Sequence, residues 1–481
     1  MAGSVAASPG VNITPAPSKV ATPNNYITNF DFLSQYLPDT HEQEFERYGN
    51  RSIASFLRMV GAESPTNSDL IKWSEQGRLH TKYEGCTQGN FSENVHDEFE
   101  VPVDASGATV TCTFRVGQTV LLSSATKGVS KKAVVTAVGA GGATTGNAVD
   151  IFRVAYYEKI DSTSPFNGAT DVVAYVYGSE FAKGTEGMVG ALEAESSIFD
   201  NKPIIIKDKY LVSGSDMAQI GWVEVTSENG ATGYLWYIKS EHETRLRFED
   251  YMEMALVEAE PAVAEGGAAK HFGNTGGTDA QGGTEGLFYT VNDRGNVWSG
   301  GNPSTLADID SIVERLDKQG AIAENVLFLN RQFGFDIDDM LAAQNSNPGG
   351  TSYGLFDNDE SMALNLGFDG FTRGYEFYKT DWKYLNDATL RGGITGGAIN
   401  GIMVPAGTMT VYDQVMGKNA KRPFLHVRYR ESQAESRKYK TWMTGSAGGA
   451  ATSSLDAMEV HFLSERALCT LGANNFFLFN A

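Results

Sequence analysis

Cysteine is scarce and scattered in this 481-residue chain: Cys86, Cys112 and Cys469 are all it has, and no two share a CxxC spacing. That argues against a disulfide framework and against a structural zinc site. No run of eighteen apolar residues occurs, so no segment reads as a membrane-spanning helix. The opening "MAGSVAASPGVNITPAPS" lacks the basic and apolar regions of a signal peptide. Positive charge is also in deficit, with 38 Lys and Arg against 59 Asp and Glu and a net charge of −21. A phosphate backbone would be repelled at long range, which disfavours a nucleic-acid binder. The reading is a soluble, intracellular protein.

Catalytic signatures are missing too. "VSGSD" has the wrong order for a nucleophile elbow, and no GxxxxGK[ST] loop is present. "HETRL" at His242 lacks the second histidine of a zinc-protease helix, so it reads as a helix histidine with no ligand role. "FDIDD" (Asp336, Asp338) and "FDNDE" (Asp357, Asp359) pair carboxylates. Neither continues into a calcium loop with its distant Glu, so ion binding is the minor reading of both. "KNAKRPFLHVRYRESQAESRKYK" gathers Lys421, Arg422, Arg428, Arg430, Arg437 and Lys438. It reads either as a solvated or internally paired surface, or as a patch for an acidic neighbouring protein. No catalytic, cofactor-binding or metal-binding residue is assigned, no cofactor is expected, and the expectation is that the chain is not an enzyme.

What is present is a folded protein's composition, 41% hydrophobic and 20% charged, with 53 glycines promising many turns. The length favours two to four domains. Residues 1–38, rich in Pro, Ala, Ser and Asn, read as an arm without a core. "PDTHEQEFERYGNRSIASFLRMVG" follows, with capping-box spacing from Asp39 to Glu42 and an interrupted apolar face (Phe45, Tyr48, Phe56, Leu57, Val60). A second short helix is predicted over "SDLIKWSEQ". From about 95 to 180 the period becomes two, in "VTCTFRV", "KKAVVTAV", "AVDIFRVAYY" and "DVVAYVYG", separated by spacers such as "GAGGATTGN". That spacing predicts a small β-barrel or sandwich, with Phe114, Val116, Val134, Ile151 and Val154 in its core and flanks near Asn94 and Glu186 that approach each other.

Gly230–Ala262 is the longest stretch that reads as one helix, roughly 40 Å at ~1.5 Å per residue. Leu235, Ile238, His242, Leu246, Met252 and Leu256 fall on one side, Phe248 and Ala255 at its margin, and Arg245, Glu249 and Glu253 interrupt the stripe. Pro261 ends it. Beyond a glycine-dense loop, "STLADIDSIVERLDKQG" reads as a capped helix, "NVLFLN" as a buried strand and "FDIDDMLAAQ" as a helix. "GGAINGIMVPAGTMTVYD", "RPFLHVRYR", "AMEVHFLS" and "NNFFLFNA" read as strand and turn.

The order of these parts resembles the major capsid proteins of tailed bacteriophages, with the Hong Kong 97 fold. "YLVSGSDMA" is similar to the segment entering the family's spine helix, "GTEGL" (Gly283–Leu287) to its glycine junction, and "NVLFLNRQFGFDIDDML" to its axial strand–loop–helix. "AMEVHFLSERALCTLG" is similar to its late peripheral strand, and "TDWKYLNDATLRGG" and "ANNFFLFNA" to capsid proteins of crAss-like phages. The resemblance covers most of 195–481. It implies an α+β capsid fold with an N-terminal arm (1–38), N-terminal helices and the start of the peripheral P-domain and extended E-loop (39–94). An E-loop with an inserted β-rich domain (95–195) follows, then the P-domain with its spine helix (196–265), the axial A-domain (266–450) and return strands (451–481). It further implies a virion shell of hexamers and pentamers around double-stranded DNA, assembled in a bacterial host's cytoplasm with portal, scaffolding and decoration proteins, and no membrane. Alternatives are an encapsulin-like nanocompartment and a β-rich glycoside hydrolase or carbohydrate-binding protein. The latter would gather carboxylates and aromatics in a cleft, whereas the six tryptophans, Trp73, Trp222, Trp236, Trp298, Trp382 and Trp442, are scattered along the chain.

Overall fold

The computed structural model describes residue 56 and residues 62–102, 111–140, 150–160, 162–193, 196–219, 225–226, 232–233, 236–263, 267–271, 282–320, 322–345, 369–413, 418–449 and 451–481. The predicted arm, the Asp39–Glu42 capping box and most of the following helix lie outside them, as do Leu235, Asp357 and Asp359. The chain divides into two compact units. The larger takes residues up to Asn67, Ile204–Leu468 and Phe476–Ala481, and the smaller takes Ser68–Pro203 with Cys469–Asn475. Strand β1 (Ala62–Thr66) belongs to the larger.

The smaller unit begins with a strand where a helix was expected. β2 (Ile71–Gln76) pairs antiparallel with β9 (Ser196–Asn201) from Ile71–Asn201 to Gln76–Ser196. Ser68 forms a tight turn, its hydroxyl donating to the Leu70 carbonyl, rather than capping a helix. Ile71, Trp73 and Glu75 then alternate with exposed Lys72, Ser74 and Gln76, the period of a strand. Between these two strands lie β3 (Lys82–Ser92), β4 (His96–Glu100), β5 (Gln118–Ser124), β6 (Val129–Ala140), β7 (Asp150–Tyr156) and β8 (Val172–Ser179). They close into a barrel in the order β3-β4-β7-β6-β5-β8.

Alternation fills this barrel. Val120 and Leu122 from β5, Ala133 and Val135 from β6, Phe152 and Val154 from β7, and Val172 and Ala174 from β8 meet around Phe99, Phe114 and Phe166. Phe152 stacks on Phe99 at 5.5 Å and meets Phe114 edge-on at 5.0 Å. Of the predicted core residues, Phe114, Ile151 and Val154 are buried. Val134 points the other way from its buried neighbours Ala133 and Val135, and Val116 sits in a turn, 52% exposed. The strand ladder starts at Lys82 rather than near 95, because β3 pairs with both β4 and β8. β6 and β7 meet at Ala140–Asp150, so the "GAGGATTGN" spacer joins adjacent antiparallel strands.

In the larger unit β10 (Ile204–Ser213) is followed by the two-residue strands β11 (Val225–Thr226) and β12 (Thr232–Gly233), then by α1 (Trp236–Glu258). α2 (Leu287–Arg294), β13 (Asn296–Ser299), α3 (Leu306–Gln319), β14 (Glu324–Leu329) and α4 (Arg331–Asn345) come next. β15 (Gly370–Arg373), β16 (Tyr375–Asp381), β17 (Ile399–Pro405), β18 (Thr408–Asp413) and β19 (Lys418–Pro423) follow. β20 (Leu425–Arg430), β21 (Lys440–Gly445), β22 (Ala457–Thr470) and β23 (Phe477–Asn480) complete the chain.

Two sheets organise these elements. One runs β1-β20-β22-β10, with β21 also paired to β22, and the other runs β13-β23-β17-β14-β16-β15. The division differs from the expected boundary at 450: β20 and β21 already belong to the first sheet, while β23 lies in the second. Pairing between strands hundreds of residues apart, such as β1 with β20, leaves no local signal in sequence. The helix α3 forms as predicted, with a capping box between Thr305 and Asp308 and a left-handed glycine, Gly320, at its end. Its Ile309, Ile312 and Leu316 pack with Phe333 and Ile337 of α4 on Leu327, Leu329, Phe377 and Met403 of the six-stranded sheet.

Helix α1, of 23 residues, starts at Trp236, six positions later than expected. It spans ~35 Å. Its buried face is Thr244, Phe248, Met252 and Leu256, recurring every four residues, together with Glu253 and Val257. Phe248, expected at the margin, is the centre: it is fully buried and stacks on Phe462 of β22 at 5.7 Å. Ile238 is 43% exposed and Leu246 half-buried, so the face is rotated from the one predicted. Val212, Met458 and Val460 complete the layer beneath the helix.

Candidate interaction surfaces

The end of α1 is a built junction. The Gly286 amide donates to the Ala259 carbonyl at 2.9 Å and the Ala262 amide to the Gly282 carbonyl at 3.2 Å. A Cβ on Gly283 would lie 2.3 Å from the Glu260 carbonyl oxygen, and one on Gly286 would lie 2.6 Å from that of Ala259. Gly283 also has φ of +77°. Only glycine allows this return of the chain against the helix end. At the last residue of the helix, Glu258 accepts from the Tyr384 hydroxyl at 2.6 Å and pairs with Arg391 at 2.9 Å. Burial, then that bond, holds the Tyr384 phenol above its usual range. Glu253, an interruption in the predicted stripe, is buried because it accepts the Phe56 amide at 3.0 Å. Phe56 stacks on Trp382 at 4.4 Å and meets Phe328 edge-on at 4.6 Å. Sequence reasoning missed this aromatic anchor; its one local signal was Phe56 on the interrupted apolar face.

The basic cluster is largely neutralised within the larger unit. Arg437 pairs with Glu465 at 2.6 Å and Arg430 lies 3.9 Å from the same carboxylate. Lys438 pairs with Glu63, which also meets Arg466 at 3.5 Å, and Lys440 pairs with Glu435 at 2.7 Å. Arg428 donates to the Ser64 hydroxyl at 2.9 Å. Burial lowers the Arg466 pKa, and Glu63 works against that. These cations bind β1 to β20 and β22, which favours the internally paired alternative. The side chains of Lys421 and Arg422 lie outside the described residues.

The acidic pairs do not converge. Asp336 accepts from Asn302 at 2.6 Å and Gln332 at 2.9 Å, whereas Asp338 pairs with Lys379. Among the described residues no group of three His, Cys, Asp or Glu side chains is arranged to hold a metal ion. His242 sits half-buried on α1. In the barrel, Asp97 is fully buried and accepts from Gln88 at 2.9 Å, the Tyr156 hydroxyl at 2.6 Å and the Ser164 hydroxyl. That network ties β3, β4, β7 and the 164–168 turn together, a structural use of a buried carboxyl group. All three cysteines are free and buried. Burial pushes the Cys86 thiol up to about 12 and that of Cys112 to about 11.

Among the described residues, two sheet faces are open. The β2–β9 ribbon is a sheet of two strands. One face holds Trp73 against Phe199, with Glu75 accepting the Gly472 amide at 2.8 Å, while Ile198 on the other is 69% exposed. In the larger unit, the face of the five-stranded sheet away from α1 carries Ile205 and Leu211, both about half exposed, and Trp442 stacked on His461 at 5.0 Å. Thr444 bonds to His461 at 2.8 Å and Lys209 pairs with Glu459 at 3.3 Å across that face. Among the described residues no helix is long and apolar enough to cross a membrane.

No protein-family model matches this sequence, and no curated protein is similar to it. Solved structures do align. A protein of Microbacterium phage Oxtober96 aligns over 94% of this chain and 99% of its own, with a TM-score of 0.38 and 10% identity. The capsid of a native GTA particle aligns over the same shares, with a TM-score of 0.40 and 9% identity. The SrpI encapsulin of Synechococcus elongatus PCC 7942 aligns over 60% of this chain and 77% of its own, with a TM-score of 0.33 and 11% identity.

Proposed function

We propose that this chain is a major capsid protein, the repeating subunit of an icosahedral phage shell with the Hong Kong 97 fold. The observation that carries the reading is the β2–β9 ribbon. A two-stranded ribbon is marginal in water on its own, and this one keeps a fully solvated face with Ile198 exposed. A second copy of the chain supplies what it lacks: a surface for that face and strands for its edges. The open, partly apolar face of the five-stranded sheet is a surface of the matching kind.

In this reading the ribbon is the E-loop and the barrel its inserted domain. The five-stranded sheet with α1 is the P-domain with its spine, and the six-stranded sheet with α3 and α4 is the A-domain. The Gly283–Gly286 junction joins the last two. The spine is a beam laid on its sheet and clamped at its end by Glu253 and Glu258. The chain's role is structural rather than catalytic: its subunits form hexamers and pentamers and meet portal, scaffolding and decoration proteins. A net charge of −21 suits a wall that encloses DNA without adhering to it. In this reading assembly takes place in the host cytoplasm, and the resemblance of "TDWKYLNDATLRGG" and "ANNFFLFNA" to crAss-like phage capsid proteins supports a relation to those phages. Sedimentation of the purified full-length chain tests the reading. Capsomer-sized or larger species are expected, and a compact monomer at every concentration and salt would contradict it.

A further inference from the structure

Beside the β3–β4 hairpin lies a cleft of ≈ 260 Å³, lined by Phe91, Asn94, His96, Tyr157 and Glu158 among others. Beyond Tyr157, on the barrel surface, lies Tyr177, near enough for the two phenols to interact electrostatically. These two rings are 52% and 47% exposed, and Tyr175, two residues along β8 on the same outer face, is 40% exposed. The rings are held in place rather than loose. The Tyr157 hydroxyl donates to Glu180, a bond that holds its pKa above the usual phenol range, and the Lys132 ammonium sits 5.8 Å over the Tyr177 ring.

We infer that this cleft, with Tyr157 as its aromatic wall and Tyr177 outside it on the barrel surface, binds a neutral saccharide. The chemistry narrows the choice. A closed barrel has no free edge, so a peptide cannot be captured by strand addition. The nearby charged groups already have partners: Glu158 pairs with Lys131, Glu180 accepts the Tyr157 hydroxyl, and Lys159 of the lining is engaged as well, so no bare charge calls for an ionic ligand. What remains on offer is aromatic ring area next to the held Asn94 amide and Glu158 carboxylate and the His96 imidazole. A pyranose has the complementary surface, with apolar C–H faces to lie on the rings and hydroxyls to meet the polar groups. The cleft falls just under the ~300–1,000 Å³ of pockets for drug-sized ligands, which is room for one sugar ring. Further residues of an oligosaccharide would run over Tyr177. This inference stands on the barrel alone and does not require the shell reading.

Saturation-transfer NMR of the full-length chain tests it, with methyl glycosides of glucose, galactose, mannose and N-acetylglucosamine as probes, then their neutral oligomers. At least one should bind with its ring C–H protons in contact, and Tyr157→Ala should weaken it roughly tenfold, the scale of one lost aromatic contact. Tyr157→Phe, which keeps the ring, should retain most of the binding. Tyr177→Ala gives the same readout for oligosaccharides from a more peripheral position, should Tyr157→Ala fail to fold. No bound saccharide, or binding indifferent to both alanine variants, would overturn the inference. So would a protein partner on this face, lost in the same variants, with no saccharide bound.

Discussion

Excising the barrel at its neck should leave the rest of the protein folded, and the structure says where to cut. Gln76 and Ser196 are direct register partners at the end of the β2–β9 ladder. Their Cα atoms are therefore ~4.5–5.5 Å apart, a gap that a two-residue Asn-Gly turn closes in a hairpin. Replacing residues 77–195 by Asn-Gly removes every side chain of the barrel core, all of which lie between Tyr83 and Ala174. None belongs to the larger unit, so that unit should lose under ~1 kcal/mol, the usual limit for changes away from a core. The cut suggested by sequence, from Asn94 to Glu186, behaves differently. It strands β3, whose Tyr83 and Cys86 are buried only by the strands removed. Exposing two such side chains costs about 3–6 kcal/mol of burial, and the orphan strand presents an edge for aggregation. Thermal melts and solubility of the two deletions compare them directly. The Gln76–Ser196 version should stay soluble with a cooperative transition, and the Asn94–Glu186 version should aggregate. Loss of the cooperative melt in the first, or equal behaviour of both, would refute the claim that the barrel is a separable module on a ribbon.

Phe248→Ala should cost about 3–5 kcal/mol, as for other fully buried aromatics, while Ile238→Ala on the same helix should stay within about 0.5 kcal/mol in a urea melt. Gly286→Ala should destabilise by about 1–3 kcal/mol or more through its clash with the Ala259 backbone; Gly267→Ala, which meets nothing, is the control. Ellman's reagent at pH 8 should find no reactive thiol in the native chain and three after guanidinium, because Cys86, Cys112 and Cys469 are buried. The Asp171 carboxylate is held to about 2, chiefly by the Ser124 hydroxyl and then by the Thr126 amide. Its folded pKa lies below the unfolded one, so its contribution is present above about pH 4 and lost as pH falls towards 2. Asp171→Asn should therefore reduce the difference between barrel melting temperatures at pH 5 and pH 2.

Local patterns were legible where both their period and their ends were written in the chain. Thr305 with Asp308, the Ile309–Ile312–Leu316 face and Gly320 specify α3 completely, and alternation marked β6, β7 and β8. Short segments failed for want of length. Six residues of "IKWSEQ" fit a helix turn or a strand equally, and the pairing with β9, over a hundred residues away, decided the matter. The face of α1 was misplaced because its buried Glu253 looks like a break until Phe56 is seen to bond it. A similar loss of signal affected Val134, since the register shift between Val135 and Ala137 upsets simple alternation along β6. The open sheet face and the saccharide cleft were illegible for a plainer reason: residues such as Ile205 with Trp442, or Asn94 with Tyr157, are brought together only by the fold.

Cryo-electron microscopy of the purified full-length protein under assembly conditions tests the central claim most directly. The account predicts closed icosahedral particles, with the β2–β9 ribbon of each subunit laid on a neighbouring copy and the barrel standing at the ribbon's end. Particles that never close, or isolated subunits whose ribbon face stays in solvent, would contradict it.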